Sequence, residues 1–293
     1  MSEIKLVAID IDATLLNSNR QLTTKVSQAI KNVSAQGTKV VLTSGRPLSG
    51  IKPFLAQLGL DNQNDQYVIS FGGSIVETTS GQVLASNQLS FNDYLKLYQI
   101  ATSLGIHFHV ESADKLYTSN RDLGKYTIVE GFLTQIPVCV RTPEELSNIP
   151  LVKAMFVDDP AKIDNLVQKN ELFEPLAAKL TFTRSDPAYY EANPKGVDKA
   201  YGLKILLDKL NMTPANLMAI GDQGNDLSML KLAQVGVAMG NAIPELKAVA
   251  SFVTADCDHD GVAVALEKFV AAKNWHYLAQ QLKTFAILVN FIN

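Results

Sequence analysis

What the chain lacks narrows the field first. It has two cysteines in 293 residues, Cys139 and Cys257, far apart and without the close spacing of a metal knuckle. That excludes a disulfide-rich scaffold, and a reducing cytoplasm fits best. No run of about 18 apolar residues occurs, so nothing here is long enough to span a membrane as a helix. "IKLVAI" near the N-terminus is too short for the apolar region of a signal peptide and is followed by acids. There is no long basic run, and a net charge of −3 argues against nucleic acid or an anionic membrane as partner. Repeats and low-complexity linkers are absent as well. With 47% apolar and 19% charged residues, disorder is excluded too.

What is present is length and pattern. A chain of 293 residues can hold a large core and two domains. Ile4–Ile9 is a continuous apolar run suited to a strand covered on both faces. Val26, Ala29, Ile30 and Val33 recur with helical spacing, and Gly37 marks a helix end. "TKVVLTSGR" and "QYVISFGGS" supply two more strands, and strand–helix–strand alternation with short links indicates a parallel sheet. The pattern returns with Leu203, Leu206, Leu207 and Leu210 on one helical face. The segments "NLMAIGD", "NDLSMLKLA", "VGVAM", "AIPELKAVA" and "SFVT" follow in alternation. Between the halves the punctuation changes: two helices, "FNDYLKLYQIATSLG" and "DPAKIDNLVQKN", accompany several hairpin-like strands. The expected fold is α/β, a Rossmann-like doubly wound parallel sheet interrupted by an α+β module. Residues 1–83 and 189–293 form the sheet domain and 84–188 the insertion.

Polar residues collect where apolar runs end: Asp10 and Asp12 after the first, Thr43–Ser44–Gly45–Arg46 after the second, Gly221–Asp222 after "LMAI". In open parallel sheets ligands sit beyond the carboxyl ends of the strands, so three distant segments point at one crevice. Asp10, Asp12, Asp222 and Asp226 cannot all stay ionised there unless a cation joins them. Oxygen ligands without a His or Cys cluster favour Mg²⁺. Ser44, Asn225 and a lysine from "NPKGVDKAYG" suit the oxygens of a phosphoryl group. The chemistry this predicts is metal-assisted phosphoryl transfer.

These segments are recognisable. "IKLVAIDIDATLL", "VVLTSGRP", "HFHVESADKLYTSNRD", "AIGDQGNDLSML" and "VGVAMGNAIPELKAVASFVT" resemble, in order, the haloacid dehalogenase superfamily of aspartate-nucleophile phosphatases. Within it the likeness is to the Cof-type sugar-phosphate phosphatases, over nearly the whole chain to about residue 270. The resemblance implies that Asp10 is the nucleophile forming an aspartyl-phosphate and Asp12 the general acid–base. It implies phosphate contacts from Ile11, Ser44, Gly45, Lys199 and Asn225. Mg²⁺ would be held by Asp10, the backbone carbonyl of Asp12 and Asp222, with Asp226 supporting that shell. The insertion would be a C2-type cap that selects the substrate, a small phosphorylated metabolite, with contacts from Asn120 and Arg121. A phosphomutase, or a non-enzymatic phospho-acceptor or sugar-phosphate-binding switch, are the rival readings.

Three departures from that family stand out. Gly usually follows the second acid, and here it is Ala13; if the position needs positive φ, Ala costs roughly 1–2 kcal/mol. "SFGGS" replaces an Asn-Gly-Ala turn, and its glycine spacing is not a dinucleotide fingerprint. Residues after about 272 form an extension, whose apolar end Phe285–Asn293 reads as packing on the protein or at an oligomer contact. Lys195 reads as a loop lysine, and His107 and His109, alternating in a strand, as packing or surface residues.

Overall fold

The computed structural model describes residues 3–271; the extension expected after about residue 272 lies outside them. In chain order the strands are β1 (Leu6–Asp10), β2 (Lys39–Thr43), β3 (Tyr67–Ser70), β4 (Ile75–Thr78), β5 (Val83–Ser86), β6 (Phe108–Glu111), β7 (Leu116–Thr118), β8 (Val138–Val140), β9 (Lys153–Val157), β10 (Leu180–Asp186), β11 (Tyr189–Pro194), β12 (Leu217–Gly221), β13 (Val235–Ala238) and β14 (Phe252–Val253). The helices are α1 (Thr24–Ala35), α2 (Leu48–Leu58), α3 (Phe91–Leu104), α4 (Lys125–Thr134), α5 (Pro160–Val167), α6 (Lys199–Lys209), α7 (Leu227–Leu232), α8 (Pro244–Val249) and α9 (Gly261–Leu266). The fold is α/β and Rossmann-like, as the strand–helix alternation predicted.

The chain divides into two compact units. Of the described residues, one holds 3–42, Gln57–Gly59 and 207–271; the other holds Thr43–Ala56 and Leu60–Leu206. The second is larger than the 84–188 set apart on sequence, because it also takes in residues 43–56, 60–83 and 189–206.

In the first unit, strands run in the order β14-β13-β12-β1-β2. β1, β12 and β13 are buried at every residue, which is what an unbroken apolar run requires of a strand with both faces covered. β1 pairs with β12 in parallel, with Ile9 opposite Ile220. That register sets Asp10 level with Gly221 and sends Asp222 off the same edge one residue later. α1 buries Val26, Ala29, Ile30 and Val33, the four residues whose spacing predicted it, and the Thr23 hydroxyl caps it by accepting from the Val26 N–H at 3.2 Å.

In the second unit β3, β4 and β5 form an antiparallel ladder. A six-stranded sheet runs β10-β11-β9-β6-β7-β8, antiparallel throughout except for the parallel pair β7/β8. Strand alternation gives this sheet two different faces. One carries Phe108, Val110, Ala154, Phe156, Tyr190 and Ala192, packed with Tyr94, Leu97 and Ala101 of α3 and Ile163 and Leu166 of α5. The Phe108 and Phe156 ring centroids are 5.0 Å apart. The residues between them, His109, Glu111, Lys153, Met155, Tyr189 and Glu191, belong to the opposite face.

Two helices were expected in this part of the chain and a third, α4, is present. Its burial pattern explains the miss. Thr127, Glu130, Gly131 and Thr134 are buried, while Ile128, Phe132 and Leu133 are exposed. A helix with its polar side inward leaves no apolar stripe for periodicity to detect.

Candidate active site

Three acids meet in the first unit. Asp10 closes β1, Asp222 follows β12, and Asp226 ends the short turn Gly224–Asp226. All three are buried, and one carboxylate oxygen of each lies within 4.8 Å of the others. The loop that brings Asp226 back depends on Gly221, where a Cβ would stand 2.5–2.6 Å from the Asp226 carboxyl. In that space Asp226 Oδ2 accepts from the backbone N–H groups of Asp222 (2.9 Å) and Gln223 (3.0 Å). Asp226 thus clamps the loop that presents Asp222. The Asp222 carboxylate accepts from Thr14 Oγ1 at Oδ1 (2.8 Å) and from Gln223 Nε2 at Oδ2 (3.3 Å).

Carboxylates this close and this buried repel one another unless positive charge joins them. The donors are all oxygen, so the set fits a hard divalent cation such as Mg²⁺. Asp12 has its side chain outside this group; its expected role as a ligand concerned its backbone carbonyl.

The two acids of the opening motif face different surroundings. The segment Ile11–Leu15 leaves β1 as a single wide turn, closed where the Leu16 N–H donates to the Ile11 carbonyl at 3.0 Å. Within it Asp12 is extended and Ala13 is left-handed, with φ 56°. The result is a buried Asp10 beside an exposed Asp12, with Ile11 buried between them. Asn241 Nδ2 donates to the Ala13 carbonyl at 2.9 Å and helps hold the turn. The positive-φ condition attached to Ala13 on sequence is met.

The second unit holds the other predicted residues. Ser44 is buried just past β2 and Gly45 beside it is exposed. The Ser44 carbonyl accepts from the Gly72 N–H at 2.8 Å, which ties this loop to the turn Phe71–Gly73. Phe71, Gly72 and Gly73 all have positive φ. At Gly73 a Cβ would lie 2.0 Å from the Asp198 carbonyl oxygen, so only glycine lets the start of α6 come this close. The turn thus meets the Ser44 carbonyl on one side and the Asp198–Lys199 backbone on the other. Lys199 is 1% exposed and opens α6, whose Tyr201 N–H donates to Asp198 Oδ1 at 2.8 Å. Lys195 differs: it is exposed and donates to the Ala177 carbonyl at 2.7 Å. Phe71, in place of a polar turn residue, buries its ring with Ile75 and Val152.

The sequence pattern of the haloacid dehalogenase-like hydrolases matches residues 7–266. The chain belongs to that family. It is 37% identical over 267 residues to a candidate phosphatase of Streptococcus pyogenes serotype M6, covering 91% of this chain and 98% of that one. Identity to the candidate phosphatase YxeH of Bacillus subtilis is 36%, over 92% and 99% of the two chains. The 5-amino-6-(5-phospho-D-ribitylamino)uracil phosphatase YcsE of Bacillus subtilis is 28% identical, over 92% and 96%. A solved haloacid dehalogenase-like hydrolase from Bacteroides thetaiotaomicron matches with a TM-score of 0.82 at 32% identity, over 91% and 99%. The chain is a hydrolase whose relatives carry phosphatase names.

Within this hydrolase the remaining predicted residues sit as follows. Asn225 is exposed on the turn before Asp226. Asn120 turns its Oδ1 to the Phe108 N–H and the Thr118 hydroxyl, both at 3.1 Å, while Arg121 is exposed. His109 is fully buried, with Nδ1 3.2 Å from Thr127 Oγ1, and His107 pairs with Asp158 at 3.4 Å. Sequence reasoning named Gly221 only as the residue before Asp222, and did not single out Gly73 or Asn241. The doubled glycine of "SFGGS" was the available signal for Gly73; the contacts of Asn241, and of Gly221 with Asp226, are encoded by no local pattern.

Proposed function

We propose that this hydrolase cleaves small organic phosphate monoesters, sugar and polyol phosphates in particular, with Mg²⁺ and through an aspartyl-phosphate on Asp10. The observation that carries this reading is the trio of buried carboxylates whose oxygens lie within 4.8 Å of one another. The phosphatase names of the relatives support it, and one of those names specifies a phosphorylated ribityl compound.

In this reading Asp10 attacks phosphorus as an anion, and the ester P–O bond breaks. Asp12, exposed and able to exchange protons with water, gives its proton to the departing alcohol. Water then attacks the acyl phosphate, Asp12 takes its proton, and inorganic phosphate leaves Asp10. Ile11, Ser44, Gly45, Lys199 and Asn225 hold the phosphoryl oxygens. Asp10, the Asp12 carbonyl and Asp222 hold the metal, and Asp226 keeps the Asp222 loop in place. The chemistry a bound Mg²⁺ supplies is positive charge against nucleophile and phosphoryl group together. Residues 84–188 serve as the cap, with Asn120 and Arg121 as substrate contacts. Both cysteines are free, and among the described residues no helix is long and apolar enough to cross a membrane. A cytoplasmic enzyme acting on a phosphorylated metabolite fits both.

The test is a phosphate-release screen over phosphorylated metabolites with Mg²⁺, with Asp10→Asn as the blank. The expected outcome is many turnovers per chain for at least one sugar or polyol phosphate and a loss of at least a thousandfold in the variant. Undiminished release from Asp10→Asn would refute the assignment, and a single phosphate per chain would mark a phospho-acceptor instead.

A further inference from the structure

One loop of the first unit is bonded to both segments that bear the acids of the site. It runs from Met239 to Ile243, just past β13. On one side its backbone holds the Asp222 loop: the Met239 N–H donates to the Gly221 carbonyl and the Ile243 N–H to the Asp222 carbonyl, each at 3.0 Å. On the other side the Asn241 side chain holds the turn after β1. Its Nδ2 donates to the Ala13 carbonyl at 2.9 Å, and its Oδ1 accepts from the Cys257 N–H at 3.0 Å. The support beneath it is stiff. The Gly240 N–H donates to the Ala255 carbonyl at 3.0 Å, Lys247 Nζ donates to the Gly240 carbonyl at 2.6 Å, and a Cβ on Gly240 would stand 2.6 Å from the Asp256 nitrogen.

What Asn241 grips is a strained residue. Ala13 has φ 56° and ψ 14°, in the left-handed region that a residue with a Cβ enters only at a cost. The β1 ladder fixes the chain on the N-terminal side of the turn, and Asn241 fixes the carbonyl on the C-terminal side of Ala13. With both ends held, φ at Ala13 cannot change sign without breaking a bond. With the carbonyl released it can, and the peptide planes on either side turn with it. The plane on the N-terminal side carries the Asp12 carbonyl, and the Asp12 side chain hangs from the atom before it. Thr14 ties the same turn to Asp222 Oδ1 at 2.8 Å, but through its side chain, which does not fix the Ala13 carbonyl. One neutral hydrogen bond and the strain of one left-handed alanine are comparable in size, so the first is enough to hold the second in place.

We infer that Asn241 is a positioning residue for the general acid–base: by fixing the Ala13 carbonyl it keeps Ala13 left-handed and so sets the direction of Asp12. The inference rests on the hydrolytic reading for the role of Asp12. It holds for a chain with a Cβ at residue 13, because glycine takes the left-handed conformation unaided.

Two measurements on Asn241→Ala, alone and combined with Ala13→Gly, test it. Asn241 is exposed, so its truncation opens no cavity. The first measurement needs no turnover: crystal structures of the metal-free variants, in which φ at residue 13 is read. A negative φ is expected in Asn241→Ala and a positive one when residue 13 is glycine. The second compares kcat/KM with Mg²⁺ for p-nitrophenyl phosphate, whose leaving group departs without a proton, and for the best alkyl phosphate of the phosphate-release screen, whose leaving group needs one. Asn241→Ala should lower the alkyl value at least about tenfold more than the p-nitrophenyl value, since that is the share a placed acid supplies. With glycine at residue 13 the two losses should agree within about threefold. Asn241→Asp keeps the acceptor for Cys257 and lacks the donor to Ala13, so it should follow Asn241→Ala; full activity in it would overturn the inference. A positive φ retained in Asn241→Ala, or equal losses on both esters, overturns it as well. The expected φ change without turnover of any ester by the native protein would sink the hydrolytic reading and leave the grip of Asn241 on Ala13 standing.

Discussion

Ala13 shows how one side chain can be at odds with its own backbone. The turn after β1 needs a left-handed residue between the exposed Asp12 and the buried Thr14, and φ at this position is 56°. An L-residue with a Cβ pays roughly 1–2 kcal/mol there. Glycine would relieve that strain but would lose about 0.5–1 kcal/mol to the extra freedom of the unfolded chain. The strain term is the larger, so Ala13→Gly should stabilise the protein by about 0.5–1 kcal/mol in urea unfolding. Both acids keep their positions in such a variant, and a rise in turnover of several orders of magnitude would mean that the native residue cripples the turn. No gain in stability would mean that the Asn241 bond to the Ala13 carbonyl already absorbs the strain.

At the scale of elements, the turn Phe71–Gly73 and helix α6 depend on each other. A Cβ on Gly73 would overlap the Asp198 carbonyl and come within 3.2 Å of the Lys199 nitrogen, and φ there is +113°. A Cβ on Gly72, with φ +64°, meets nothing within 4 Å. Gly73→Ala should therefore destabilise the fold by about 2–5 kcal/mol, overlap and strain together, and shift Lys199. Gly72→Ala should cost only about 1–2 kcal/mol. Equal melting temperatures for the two variants would show that the approach of α6 is not what requires glycine. Helix α4 is the second lesson at this scale. Its sequence "KYTIVEGFLT" carries apolar residues enough for a core helix, yet Ile128, Phe132 and Leu133 face outward because the sheet face beneath offers charge instead of hydrocarbon.

For the whole molecule, the charges under α4 make stability depend on pH in two opposed ways. Burial, partly offset by Lys153 and reinforced by Glu130 and Glu191, raises the Glu111 carboxyl to about 7. Its stabilising contribution is fully present below about 4.5 and is lost as pH rises through about 7. Burial first and Lys153 second lower His109 from 6.5 to about 3. Its contribution is present above 6.5 and is lost as pH falls toward 3. Between 4.5 and 6.5 the two oppose each other; above that window Glu111 acts alone, and below it His109 does. Glu111→Gln should therefore remove the decline in melting temperature between pH 6 and 8 while keeping the acid limb. A decline unchanged in the variant would place the responsible proton elsewhere, on Glu130 for example, whose affinity burial also raises.

Much of this protein could be read from its residues in order. Unbroken apolar runs predicted the strands, and the parallel sheet they form delivers Asp10 and Asp222 to one edge, because every strand in such a sheet ends on the same side. The motif separates Lys199 from Lys195, and the two differ in burial, Lys199 being enclosed and Lys195 exposed. Tertiary structure alone decided the sign of φ at Ala13, the clamp that Asp226 places on the Asp222 loop, and the inverted face of α4. It also assembled Glu111, Lys153 and Glu191 from three strands into one charged group. Periodicity records only which side of an element is apolar. Where unlike charges settle and where backbones come close enough to demand glycine depend on distances between segments remote in the chain, and those distances exist only after folding.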